Sequence, residues 1–384
     1  MINKYIIFQP EVQGDFAGEW RQCLEKMMDV SPECGRLVKL NIFSSINDYS
    51  EYLKVNEEIR NSLLNNFGDH CPAFNVTVHP PENPWKVAVE AGFMNTSSCE
   101  IVTRVWHSTP YIIRLTDSAK EVWAGGLGHG LFPGDTRKAA EAAFDVMREI
   151  LETEKMSFDH IVRQWNFVGN ILEVKKEIQN YQTFNEVRSE NYHKFRSVHS
   201  YPAATGVGMK YGGVKLDFCA VKAEEDLKII AIDNPDQIRP YDYSQQVLKG
   251  RPAGEKGVNQ PPQFERAVFI NYNMESTLFV SGTASIIGQD TIGIDDIERQ
   301  TIVTLENINK LTDTKRIGHL TGNTDINAGS LILLRVYIKK QEDFPVVMTI
   351  CKKHFPGIPA IYIEADICRD NLLVEIEAEL SKTN

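Results

Sequence analysis

The most chemically loaded stretch of the sequence lies near its end: Tyr362-Ile363-Glu364-Ala365-Asp366-Ile367-Cys368-Arg369, the pair Asp370-Asn371, then Leu372-Leu373-Val374-Glu375-Ile376-Glu377-Ala378. Its period-2 alternation predicts two strands joined by a tight Asp-Asn turn, which sets Asp366 opposite Glu375 with Cys368 on the diagonal. One face of that hairpin carries Tyr362, Glu364, Asp366, Cys368, Leu373, Glu375 and Glu377, and the other is mostly aliphatic. With the aliphatic face on a core, the acidic face either meets water or lines a pocket. In a pocket, apolar neighbours and crowded carboxylates hold a glutamic acid protonated near neutral pH, which is what a general acid requires.

The elements that must position this face recur three times, at a spacing of roughly 130 residues. Each copy has an amphipathic helix, a strand with a basic residue, a second helix, then Pro-Ala and a two-stranded hairpin. The first copy has its helices at 19–28 and 50–65, its basic strand Leu37-Val38-Lys39-Leu40-Asn41-Ile42-Phe43 and the pair Pro72-Ala73. The second has helices at 136–154 and 173–192, Arg163 in its strand and Pro202-Ala203, with its hairpin over 205–222. The third has helices at 296–311 and 344–354, Arg335 in its strand, Pro359-Ala360 and the closing hairpin. Single apolar stripes support the helices, such as Ala140, Ala143, Phe144, Met147 and Leu151, or Ile297, Thr301, Leu305 and Ile308. Asp295 followed by Glu298 resembles an N-terminal cap. Units two and three begin with an extra hairpin, and the first, with only Tyr5-Ile6-Ile7-Phe8 there, is abbreviated. The division is 1–105, 106–233, a polar linker or ordered loop over a cleft at 234–264, and 265–384 with the acidic hairpin. The predicted class is α+β, with sheet faces packed about a pseudo-threefold axis into a barrel-like centre and helices outside.

Composition narrows the partners. The chain has 384 residues, 42% hydrophobic and 24% charged, with a net charge of -11 that argues against a nucleic-acid surface. A small molecule is the expected partner. The N-terminus lacks a cleavable apolar run and no stretch approaches the ~18 apolar residues of a membrane span, so no membrane association and a cytoplasmic location are expected. Seven scattered cysteines without C-x-x-C, and nine histidines without clustering, indicate neither disulfides nor a metal. Cofactor-free chemistry is expected. Gly125-Gly126-Leu127-Gly128-His129-Gly130 lacks the residues of a phosphate loop and reads as a distorted strand equivalent to Ser281–Ser285.

The order of elements, Ser281-Gly282-Thr283-Ala284-Ser285 and the terminal Val374-Glu375-Ile376-Glu377-Ala378 resemble the RidA (YjgF) family, whose small subunits form trimers with ligand clefts between neighbours. Imine deaminases of that family place an arginine directly after Pro-Ala; here those positions are Phe74, Ala204 and Ile361. The chain is more closely similar to the chorismatase family, which fuses RidA-like units in one chain. That likeness rests on Arg163-Gln164-Trp165-Asn166, the run Tyr181 to Arg188, Pro202 to Gly208, Asn234-Pro235 through Tyr241-Asp242-Tyr243, Phe264-Glu265-Arg266-Ala267, Ser281 to Ser285, and Glu364 to Arg369. It spans residues from about 110 to the C-terminus, with an unusually long insertion at 248–262.

The resemblance implies hydrolysis of chorismate, releasing pyruvate from its enol ether and leaving 3-hydroxybenzoate or a dihydroxycyclohexadiene carboxylate. It matches the catalytic acid to Glu375, and a cysteine at Cys368 matches the 3-hydroxybenzoate-forming branch. Beside that resemblance, two substrate carboxylates call for cationic or backbone donors. The candidates are Arg266, Arg163, Arg335 and the backbone at Gly282 and Thr283, with Ala284 and Cys368 shaping a ring pocket and Tyr243 and Tyr362 as hydrogen-bond partners; Arg163 and Arg335 read equally as structural ion-pair partners. A monomer of three fused units is expected. The alternatives are another RidA-like enzyme acting on a small acid and a catalytically inert metabolite-binding protein.

Overall fold

A computed structural model describes residues 1–128, 130–223, 227–249, 257–272, 275–321 and 329–382. His129 and part of the 248–262 insertion therefore lie outside the described residues. Helices start where an aspartate can satisfy the first free N–H groups: Asp15, Asp48, Asp135 and Asp296 each accept from a backbone N–H in the first turn. Each such cap contributes about 1 kcal/mol. The cap of the helix Ile297–Leu311 is Asp296 rather than Asp295, whose φ of 61° takes it out of the cap conformation.

Beside two two-stranded ribbons among the described residues, three main sheets follow, of four, seven and six strands. In each, a strand, a helix and a parallel strand form a crossover: Arg36–Ser44 with Ala73–Thr77, Ile161–Gly169 with Ala203–Met209, and Ser330–Ile338 with Ala360–Glu364. A last strand then runs antiparallel on the other side of the central one: Val87–Met94, Val214–Ala223 and Val374–Lys382. The expected hairpins after Pro-Ala are thus absent from all three units, because the central strand separates their two arms. Alternation fixes which face a residue takes but not which strand lies beside it. Asp366 pairs with Gly208 of the second sheet, and Glu375 stands beside Ala284 and Tyr337. The strand Glu100–Trp106, assigned by the sequence largely to the first unit, turns back at His107 and pairs with Thr109–Leu115, so it belongs to the second sheet.

The α+β architecture has helices outside and sheets inside. One core joins the inner faces of all three sheets through Val38, Phe43, Trp123, Trp165, Phe167, Phe279, Leu333 and Tyr337. Separate cores lie between each sheet and its helices. The predicted stripe Ala140, Ala143, Phe144, Met147 and Leu151 is fully buried in one of these. The centre also holds charge: Arg335 donates to both carboxylate oxygens of Glu90 and pairs with Glu377, which Arg163 also contacts. Among the described residues no helix is long and apolar enough to cross a membrane, and no group of three or more His, Cys, Asp or Glu is placed to hold a metal ion.

Candidate active site

Between the second and third sheets lies a pocket with about 720 Å³ of empty space. The helix Asn180–Phe195 brings Tyr181, Gln182 and Asn185 to it, and the strand Ala203–Met209 brings Ala204 and Gly206. From the third unit come Gly282 and Ala284 on the strand Glu275–Ala284, and Glu375 on the strand Val374–Lys382. The register slips between Val280 and Thr283 against the last strand, so Gly282 leaves the ladder beside Glu375. The described parts of the segment 234–264 cover the opening through Tyr243, Val247, Leu248, Lys249, Pro262 and Phe264. That cover is tied down: Gln245 exchanges 2.9 Å hydrogen bonds with the backbone of Asn259, and Gln182 donates to the carbonyl of Gln260.

Glu375 is 5% exposed, and among the described residues its carboxyl has no salt-bridge partner. Burial pushes its pKa up to about 8, with Arg163 and Arg266 pulling the other way. It is therefore largely a neutral acid at pH 7. Arg266 is buried with its Nη2 donating to the carbonyl of Ile238 at 2.8 Å and to the Tyr243 hydroxyl at 2.7 Å, while its Nε is without an acceptor among the described residues. The guanidiniums of Arg266 and Arg369 stand 5.7 and 5.1 Å from the ring centre of Tyr243. Cys368 packs with Ala284, Ile286, Ile367 and Leu372 into an apolar wall. Burial, and then Glu375, push its thiol up to about 12, so it is no thiolate nucleophile.

The pocket thus assembles Tyr243, Arg266, Gly282, Ala284, Cys368 and Glu375 of the residues singled out in the sequence. Four others do not line it. Thr283, one residue out of phase with Gly282, turns its hydroxyl to the carbonyl of Ser281. Tyr362 packs on the helix side with Val374, Ile376 and Cys351. Arg335 is consumed by Glu90 and Glu377. Arg163 is held by Glu377, by Thr205 at 2.7 Å and by the ring of Trp165, and reaches Glu375 only through its charge.

The sequence reading passed over Arg369, Lys249, Tyr181, Gln182 and Asn185 as ligands. Arg369 follows Cys368 directly, and a basic residue beside a pocket cysteine was a usable signal. Asn185 is fixed by Arg188, which donates to its Oδ1 at 2.7 Å, and its amide nitrogen has no acceptor among the described residues. Nothing in the sequence separates it from its neighbours on a helix that is polar nearly all round.

Comparison with known proteins places this chain in a family. A family model described as "Chorismatase FkbO/Hyg5-like, N-terminal" matches residues 123–220. A 3-hydroxybenzoate synthase of Streptomyces hygroscopicus is 32% identical over 255 residues, 64% of this chain and 69% of the relative. A chorismatase of Streptomyces rapamycinicus is 28% identical over 228 residues, covering 58% of this chain and 64% of its own length. A crystal structure of a chorismatase, 19% identical, covers 99% of both chains with a TM-score of 0.67 and shares the fold. The chain belongs to the chorismatase family.

Proposed function

We propose that this chain hydrolyses chorismate, with Glu375 as general acid, releasing pyruvate and forming 3-hydroxybenzoate. The observation that carries the reading is the neutral, buried carboxyl of Glu375 in a pocket whose rim is cationic. An enol ether is inert until its terminal methylene carbon is protonated, and an ionised carboxylate cannot do this at pH 7.

The proton of Glu375 passes to that carbon, which becomes a methyl group, and the positive charge is left as an oxocarbenium. Water or a neighbouring ring hydroxyl attacks; with water, the hemiketal collapses to pyruvate and a free ring hydroxyl. Glu375, now a carboxylate, takes a proton back. Stopping there consumes one water and leaves the dihydroxycyclohexadiene carboxylate, whereas aromatising the ring to 3-hydroxybenzoate returns it. The apolar wall containing Cys368 and Ala284 supports the second outcome, as does the name of the 32% identical relative. Arg266, with Tyr243 and the Gly282 backbone, is assigned to substrate binding, and Arg369 and Lys249 supply further positive charge for two carboxylates.

The chain is taken to act as a cytoplasmic monomer of three fused units, 1–105, 106–233 and 265–384, joined by 234–264. The test is incubation with chorismate in heavy water. The expected products are 3-hydroxybenzoate and pyruvate with one deuterium in its methyl group. Unchanged chorismate would overturn the reading, and pyruvate formed without deuterium would overturn carbon protonation.

A further inference from the structure

The fold repeats the construction of the catalytic pocket one unit earlier, between the first and second sheets. There the helix Tyr49–Phe67 supplies Asn56 and Arg60, the strand Ala73–Thr77 supplies Asn75, the strand Ala119–Leu127 supplies Gly125 and Gly126, and the strand Val214–Ala223 supplies Lys215. The cleft has about 310 Å³ of empty space, less than half that of the catalytic pocket. Its chemistry is inverted. Where the third unit has Glu375, the second has Asp217, and that carboxylate is fully engaged by Lys39, by Asn75 at 2.8 Å and by the N–H of Gly126 at 2.8 Å.

Lys215, two residues before Asp217 and so on the same face of the strand, enters the cleft instead. It is buried, and among the described residues its ammonium donates to neutral oxygens, the carbonyl of Val76 and the side chains of Asn75 and Asn56, and stands 5.0 Å from the ring centre of Tyr52. Arg60 stands at the mouth with one Nη donating to Ser108 at 3.0 Å and a buried Nε that has no acceptor among the described residues. Lys39, Lys215 and Arg60 therefore share one neighbourhood with a single carboxylate; burial depresses the Lys215 ammonium most, Asp217 raises it, and Arg60 and Lys39 lower it again. A buried surplus of positive charge costs free energy that a bound anion offsets. The planar fork of Arg60 fits a carboxylate.

We propose that this cleft is a second ligand site, which takes a small monocarboxylate on the guanidinium of Arg60 in the field of Lys215. The smaller space suits a short ligand, and Asn56 and Asn75, whose amides donate to the Tyr52 carbonyl and to Asp217, each keep a second amide hydrogen for an oxo or hydroxyl group beside the carboxylate. A short 2-oxo acid is the best match.

Calorimetric titration of the full chain with sodium pyruvate tests this, with Arg60→Gln removing the fork and Arg266→Gln weakening the catalytic pocket. Saturable binding that survives Arg266→Gln and weakens about tenfold or more in Arg60→Gln is expected. Chorismate turnover should be unchanged in Arg60→Gln. Binding of pyruvate to Arg60→Gln at wild-type strength, or its loss in Arg266→Gln alone, would overturn the site. The inference stands apart from the reaction assigned above: a chain that binds pyruvate through Arg60 but leaves chorismate untouched would keep this site while sinking that assignment.

Discussion

Gly282 and Glu375 meet across the pocket wall with no room for a side chain between them. A Cβ on Gly282 would lie 2.9 Å from Cδ of Glu375, closer still to its Oε1, and 3.1 Å from Cγ2 of Thr205. Gly282 does not have the positive φ that would itself demand glycine, so the requirement is one of space. In Gly282→Ala the carboxyl must move away from the position that the fold gives it. Turnover of chorismate is expected to fall by about 10²-fold, the scale of a misplacement of the order of 1 Å. Circular dichroism should show the fold unchanged, and wild-type turnover would mean that proton delivery does not depend on this contact.

The neutral state of Glu375 sets a pH dependence. With a pKa of about 8, the acid form prevails below that value and is lost above it. The rate at saturating chorismate should therefore hold level from about pH 6 to 7 and decline as pH rises through 8. A pH–rate profile checks this, and a rate that instead rises with pH through 4.5, the ordinary value of the group, would show that the carboxyl works ionised.

The same burial costs stability. The folded chain retains a proton that the unfolded chain releases above 4.5, so folding is penalised progressively as pH rises from about 4.5 to 8. Glu375→Gln removes the penalty while removing the acid. The variant should lose pyruvate release altogether and melt roughly 2–4 °C or more above wild type at pH 8, with the gain shrinking towards pH 5. Thermal scans at the two pH values decide it: a variant that melts lower at pH 8 would mean the carboxylate is welcome in its site.

Cys368 stands in the apolar wall, with its thiol protonated. Its place there is to shape the ring's surroundings and limit water. Cys368→Ala opens a small void without removing the acid, so total turnover is expected to persist. The dihydroxycyclohexadiene carboxylate should grow at the expense of 3-hydroxybenzoate. Chromatography of the two products reads the ratio; no change would make the cysteine filler.

What the sequence could and could not reveal follows from what periodicity encodes. Repeats, helices and the alternation within a single strand are local patterns and are legible, down to the stripe through Phe144 and the shared face of Glu375 and Glu377. Strand neighbours are not local. The Asp370-Asn371 turn reads as the tip of a hairpin, yet the chain crosses from the edge strand Ala360–Glu364 over Ser330–Ile338 before Val374 begins. A direct hairpin puts Tyr362 on the face of Glu375, whereas in the sheet Tyr362 and Ile376 both stand beside Val336, so Tyr362 takes the opposite face. Arginine roles were equally hidden, because whether a guanidinium meets a carboxylate depends on a residue as distant as Glu90.

That partnership separates Arg335 from Arg266. Arg335 is buried, donates through Nε to Oε2 of Glu90 at 2.6 Å and through Nη2 to Oε1, and also faces Glu377. Arg335→Met leaves Glu90 buried with no cationic partner among the described residues, while Glu377 keeps Arg163, and this costs about 3–5 kcal/mol. Adding Glu90→Gln should return part of that loss, because the cost lies in the orphaned carboxylate more than in the missing attraction. Arg266, by contrast, pairs with no carboxylate among the described residues and keeps an unused Nε. Arg266→Gln should leave the melting temperature nearly unchanged and raise KM for chorismate about tenfold or more. Denaturant unfolding and steady-state kinetics on the two single variants and the double variant give the comparison. Should Arg335→Met unfold like wild type and lose substrate affinity instead, the central arginine would be the substrate's partner and the pocket assigned to Arg266 would lose its anchor.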